Sequence, residues 1–193
     1  MIRSLPVLFL MMLIIASCNT SLSPESSPFS GSSPWPEIRK ERMEALLPAA
    51  MERAGVESWT VLCRSNDNDP LAMHVGCENA VAPAVFLFQL QDDQLFSIVF
   101  TPPGEAAALR DIALHDSIAV VNRTPGALVE AADYINRNVR GNLALNFSET
   151  NELADGLSYS QYVRFTDMLI QQVKNRIVSS EDLVFEWLSV KTP

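Results

Sequence analysis

The chain has 193 residues, with 14 basic and 23 acidic side chains, a formal net charge of −9, two histidines and three cysteines. That acidic balance argues against nucleic acid and anionic lipid headgroups as partners, since both attract Lys and Arg. From about residue 35 onward the chain is long enough for one hydrophobic core and short for two, so a single globular domain is expected.

The first residues, Met1-Ile2-Arg3-Ser4, precede an apolar run from Leu5 to Ile15 and then Ala16-Ser17-Cys18. A positive start, a short apolar core and small residues make an export signal over 1–17, too short for a mature membrane span. Ile15-Ala16-Ser17-Cys18 resembles a lipobox, so Cys18 is expected to receive diacylglycerol and, with further acyl chains such as palmitate, to hold the protein in a bilayer. An ordinary signal peptide that happens to contain a cysteine is the alternative. Export places the protein in the cell envelope, on the periplasmic or extracellular face; inner and outer membrane are not distinguished. Residues 18–35 are rich in Ser and Pro, with little to bury, and read as a flexible tether. The domain proper is expected over 36–193.

Pro36 opens a helix in which Ile38, Met43, Leu46, Leu47, Ala50 and Met51 recur at helical spacing up to Gly55, with Pro48 placed to kink it. Ser58 to Cys63 is β-prone, and the polar loop Arg64 to Pro70 follows. Ala84 to Leu90 and Leu95 to Phe100 flank Gln91-Asp92-Asp93-Gln94, the pattern of a buried hairpin. Pro102-Pro103-Gly104 breaks the chain before a short helix from Glu105 to Asp111 and a strand from Ser117 to Val121. An amphipathic helix from Pro125 to Asn138 ends near Gly141, and Asn142 to Phe147 forms the next strand. Helices over about 159–175 and 180–190 close the sequence, with Ser180-Glu181-Asp182 as the expected cap of the last. Strands interleaved with helices imply an α/β fold, a mixed sheet flanked by helices.

Candidate chemistry is sparse. Cys63 and Cys77 can pair in an oxidising compartment, or they can remain free thiols. With His74 they offer at most a fragment of a zinc site, which needs three or four ligands. Glu130, Asp133, Glu149, Glu152 and Asp155 are accounted for by helix surfaces and loops. Gly156-Leu157-Ser158-Tyr159-Ser160 lacks the final glycine of a nucleophile elbow and reads as a helix cap. Asn122-Arg123-Thr124 and Asn146-Phe147-Ser148 match glycosylation acceptors, but a bacterial signal favours ordinary turn and strand-end roles. No Gly-rich phosphate loop is present, and the expectation is no resident cofactor.

Ile38-Arg39-Lys40-Glu41-Arg42-Met43 through Ala54-Gly55-Val56-Glu57-Ser58-Trp59-Thr60-Val61 resembles the opening of the creatinase and Xaa-Pro aminopeptidase family. Asn68-Asp69-Pro70 with His74-Val75-Gly76 is similar as well. So is Arg176 to Glu181 with Trp187 to Pro193, which looks like the junction leading into that family's catalytic half. The resemblance implies a creatinase-type, ribonuclease-H-like N-terminal domain. In the family it precedes a pita-bread domain whose two aspartates, histidine and two glutamates hold two divalent metal ions.

The sequence ends at Pro193 before any such ligand set, so the expectation is a domain that is not an enzyme on its own. Its implied role is subunit association and covering of a neighbouring active site, in a homo-oligomer or with a separate catalytic chain. The alternatives are one half of a split or truncated Xaa-Pro peptidase, and an unrelated ligand-binding lipoprotein. By the same resemblance the loop Arg64 to Gly76 is the place for substrate or partner contacts. There Arg64 could clamp a carboxylate or pair with Asp67 or Asp69, and His74 could donate a hydrogen bond.

Overall fold

The computed structural model describes residues 33–63, 69–78, 80, 82–92 and 94–191. The expected export signal with Cys18, nearly all of the segment expected to be a Ser/Pro tether, and Arg64 lie outside these residues. The chain from Pro34 onward forms one compact unit. Its helical part begins at Trp35, so the last residue assigned to the tether belongs to the first helix.

Helix α1 (Trp35–Glu41), a π-helical turn (Arg42–Leu46) and α2 (Leu47–Arg53) follow one another without leaving helical backbone geometry. Pro48 explains the wide turn. It has no N–H to give to the carbonyl four residues earlier and its ring crowds that carbonyl, so the chain opens by one residue and the Leu47 N–H reaches back to Arg42. Strand β1 (Ser58–Cys63) and a short helix α3 (Ala72–Val75) come next, then the hairpin β2 (Ala84–Gln91) and β3 (Gln94–Thr101). Helix α4 (Pro103–Ile112), β4 (Ser117–Val120), α5 (Ala127–Asn138) and β5 (Leu143–Leu145) continue the alternation. A 3-10 turn (Glu152–Ala154), α6 (Tyr159–Asp167), α7 (Gln171–Lys174), β6 (Ile177–Ser179) and α8 (Glu181–Ser189) complete it.

The six strands form one mixed sheet in the order β4-β3-β2-β1-β5-β6. The hairpin pairs Gln91 with Gln94, and β2 pairs antiparallel to β1 with Trp59 opposite Phe88. Strand β5 lies parallel to both β1 and β6, and β4 lies parallel to β3. Side-chain alternation sorts the core into two layers. Trp59, Val61, Phe86, Phe88, Val99 and Ala144 point to one face, under α2, α3 and α8. Leu62, Val85, Leu87, Ile98, Leu143 and Leu145 point to the other, under α5, α6 and α7. Burial on both sides is why the central strands read as continuous apolar runs.

Several sequence expectations change. The single helix expected over 159–175 breaks at Ile170, where Asn136 accepts a hydrogen bond from the Ile170 N–H at 2.9 Å and donates to the Met168 carbonyl at 3.0 Å. Ser180 makes no side-chain cap. Ser179 does that work instead, accepting from the Glu181 N–H at 3.0 Å while donating to the Phe147 carbonyl at 2.6 Å. Ser158 does cap α6, through the Gln161 N–H at 3.3 Å.

Two long-range locks close the first face. The Arg42 guanidinium donates to the carbonyls of Trp187 at 2.6 Å and Val190 at 2.8 Å, while the Trp187 indole N–H donates back to the Arg42 carbonyl at 2.9 Å. A cation thus satisfies carbonyls that the end of α8 leaves open. Cys63 and Cys77 form a disulfide with 14 residues of separation, answering the question the sequence left open. In the chain-entropy account such a loop contributes about 3 kcal/mol.

His115 packs its ring against Phe86 and Phe88 and holds the Val75 carbonyl at 2.9 Å through Nε2, with Nδ1 enclosed. Burial is the main cause that lowers its pKa from 6.5 to about 4. The unfolded chain therefore takes up a proton near pH 6.5 that the folded one refuses until about pH 4. Stability present above pH 6.5 is lost as pH falls from 6.5 to about 4. The loss is at most about 3 kcal/mol, less where the ring edge meets water. Urea unfolding across this window should show a shallower pH dependence in His115→Gln than in the parent; identical slopes would contradict the assignment.

Candidate functional site

Parallel strands β1, β5 and β6 all end at the same edge of the sheet, at Cys63, Leu145 and Ser179. In open α/β sheets the crevice outside the carboxyl ends of parallel strands is where ligands bind, because loops there converge from several strands. Here the converging segments are Asp69 to Leu71 after β1, residues 146–158 after β5, and Ser179 to Glu181 after β6.

Asn146, fully buried, organises this edge. Its side-chain oxygen accepts from the Leu62 N–H at 3.1 Å and its amide donates to Asp69 Oδ2 at 2.6 Å. Asp69 Oδ1 in turn accepts from the Leu71 N–H at 2.8 Å. A polar side chain in an apolar layer is tolerated only when its groups are paired, and this amide pairs with both neighbouring loops. Gly156 makes the arrangement possible: a Cβ added there would sit 2.1 Å from Asp69 Oδ2.

Farther out, Glu181 at the start of α8 accepts from Ser148 Oγ at 2.5 Å and from the Thr150 hydroxyl. Those two hydroxyls hold its carboxyl below the usual range. Ser148 Oγ also accepts from the N–H groups of Thr150 at 3.1 Å and Asn151 at 2.9 Å, which fixes the loop. Beside this network lies an open groove of about 370 Å³ lined by Phe147, Ser148, Asp155, Leu157, Tyr159 and Tyr162. Phe147 and Tyr162 meet edge to face at 5.3 Å, and Tyr159 is 83 % exposed.

The residues singled out from sequence go to different places. Asp69 is at this edge but engaged inward by Asn146 and Leu71, as a pin for the loop after β1. His74 belongs to the opposite, helix-covered layer, edge-on to Trp35 at 5.4 Å and Trp187 at 5.6 Å. Burial, then the charges of Arg42 and Arg39, lower its pKa. Arg39 nearby donates to Glu78 at 2.7 Å. No contact joins Asp69 to His74 among the described residues, and Arg64 and Cys18 lie outside them. The thiols once considered with His74 for a metal are bonded to each other. No group of three or more His, Cys, Asp or Glu side chains gathers at metal-holding distance among the described residues.

Sequence reasoning met Asn146, Phe147, Tyr159 and Glu181 only as turn, strand-end or cap residues, and placed neither them nor Tyr162 at a site. The available signal was the single amide inside the run Leu143-Ala144-Leu145-Asn146-Phe147, which a buried strand end has to satisfy. Chemically, the edge offers acceptors and aromatic surface.

No protein-family model matches the chain, and no curated relative matches it. Solved structures do. The chain is similar to an Xaa-Pro dipeptidase from Bacillus anthracis, with 14 % identity and a TM-score of 0.51, over 81 % of this chain and 37 % of that one. It is similar to the dipeptidase PepE from Mycobacterium ulcerans, again with 14 % identity and a TM-score of 0.51, over 77 % of this chain and 36 % of that one. The N-terminal domain of an Xaa-Pro dipeptidase from Lactobacillus brevis superposes at 9 % identity and a TM-score of 0.48, over 78 % of this chain and 98 % of that one. The first two superpositions show a shared fold, and the chain spans little more than a third of those two proteins.

The steric argument at Gly156 is directly testable. Gly156→Ala should lower thermal stability by several degrees, because the Asp69 carboxylate must leave its partners. Gly104→Ala, where an added Cβ meets nothing within 4 Å, should leave the melting temperature unchanged or slightly raised. Equal effects at the two sites would contradict the account.

Proposed function

We propose that the folded unit is a non-catalytic N-terminal domain of the Xaa-Pro peptidase and creatinase type, held at the membrane by a lipid on Cys18. Its role is to associate with another copy or with a catalytic chain and to cover part of a neighbouring active site. The observation that carries this reading is the fold shared with an Xaa-Pro dipeptidase over 81 % of this chain, which matches only 37 % of that protein. The sheet edge built around Asn146 supports the covering role, since it presents fixed loops and exposed aromatic surface. The proposed setting is the cell envelope, on its periplasmic or extracellular face, with the Ser/Pro segment as spacer.

One half of a split peptidase is the competing reading, and an activity assay separates the two. Purified protein incubated with manganese, cobalt or zinc and an Xaa-Pro dipeptide should give no turnover by itself. Metal-dependent hydrolysis by this chain alone would overturn the proposal, whereas hydrolysis appearing only on mixing with a separate catalytic chain would favour the split enzyme.

Anchoring is checked independently. Cells given labelled palmitate should incorporate it into the protein and retain the protein in the detergent phase, and Cys18→Ser should abolish both. Unchanged labelling in that variant would remove the anchor from the account.

A further inference from the structure

The groove beside the Asn146 edge has a chemistry that the covering role does not use. Its six lining residues include one carboxylate, two phenols and a phenylalanine, and no lysine or arginine. Asp155 is exposed, and the one side-chain hydrogen bond recorded for it is a long one, 3.4 Å from the Ser148 N–H. The Ser148 hydroxyl hydrogen is already committed to Glu181, which places a second carboxylate one hydrogen bond away from the groove lining. Tyr159 leaves 83 % of its surface in water, next to the crossed rings of Phe147 and Tyr162.

We propose that this groove binds the side chain of a lysine or arginine presented by an extended peptide segment. Aromatic faces attract cations through their quadrupole, and a nearby carboxylate adds a directed charge. Charge complementarity selects this occupant over the others. An anionic ligand would meet Asp155 and Glu181. A neutral sugar would ask for a flat stacking platform and amide donors, whereas the Phe147 and Tyr162 rings cross at 75° and the wall carries the Asp155 carboxylate. The inference goes beyond the association role and stands without it, because it draws only on residues of this face.

The test is a titration of the mature chain, followed by amide chemical shifts, with a blocked pentapeptide carrying two lysines. The same peptide with acetylated lysines and a neutral chito-oligosaccharide serve as controls. Shifts confined to residues 147–162, with at least tenfold weaker binding after acetylation, are the expected result. Tyr159→Ala should weaken binding at least fivefold and Asp155→Asn about threefold, both with unchanged melting temperature because both side chains are exposed. Binding should also weaken as salt is raised. Absence of binding, shifts scattered over the acidic surface, equal affinity in both variants, or preference for the sugar would each overturn the proposal. None of these outcomes depends on peptidase activity or on oligomeric state.

Discussion

One buried amide holds one edge of this protein's sheet together. Asn146 directly follows the parallel strand β5, and from there it grips the backbone of β1 at Leu62 and the carboxylate of Asp69 beyond it. The low polarity around it makes each of those hydrogen bonds costly to lose, so the loops that follow β1 and β5 are set relative to one another by this contact. The rest of the edge is arranged around the same point: Gly156 leaves room for Asp69, and the Asn146 carbonyl receives the Leu157 N–H at 2.9 Å.

The sheet behind that edge is conventional in its physics. Alternating side chains fill two apolar layers, and each layer is sealed by helices from distant parts of the sequence. Arg42 and Trp187, 145 residues apart, exchange backbone-directed hydrogen bonds in both directions, which fastens the last helix to the first. The π-helical turn that Pro48 imposes is where this arginine sits. A local defect in one helix thereby coincides with a long-range closure of the fold.

Much of this was legible in the residues. Strands β1, β2 and β3 are long, apolar and bounded by turn formers, and the Gly55 stop and the hairpin turn follow from elementary chain stereochemistry. What escaped was decided by tertiary contacts. Strand β6 has three half-buried residues, Ile177 to Ser179, too few for a periodicity to emerge, and it exists because β5 offers a free parallel edge. The break at Ile170 depends on Asn136, 34 residues away. The Cys63–Cys77 bond depends on where α3 packs. At the site, the surroundings of the two described residues singled out as contacts are likewise set by the folded chain: Asp69 faces Asn146 and His74 faces two tryptophans. The exposed Tyr159 carries no sequence pattern of its own, since a tyrosine at a helix start looks alike whether it is buried or displayed.

The central claim, that Asn146 couples the loops into one structural unit at the sheet edge, is tested most directly by hydrogen exchange on Asn146→Ala. The account predicts that amide protection falls together at Leu62, Leu71 and Leu157, while the β2–β3 hairpin keeps its protection. Loss confined to Asn146 and its immediate neighbours, or a uniform loss across all six strands, would contradict it.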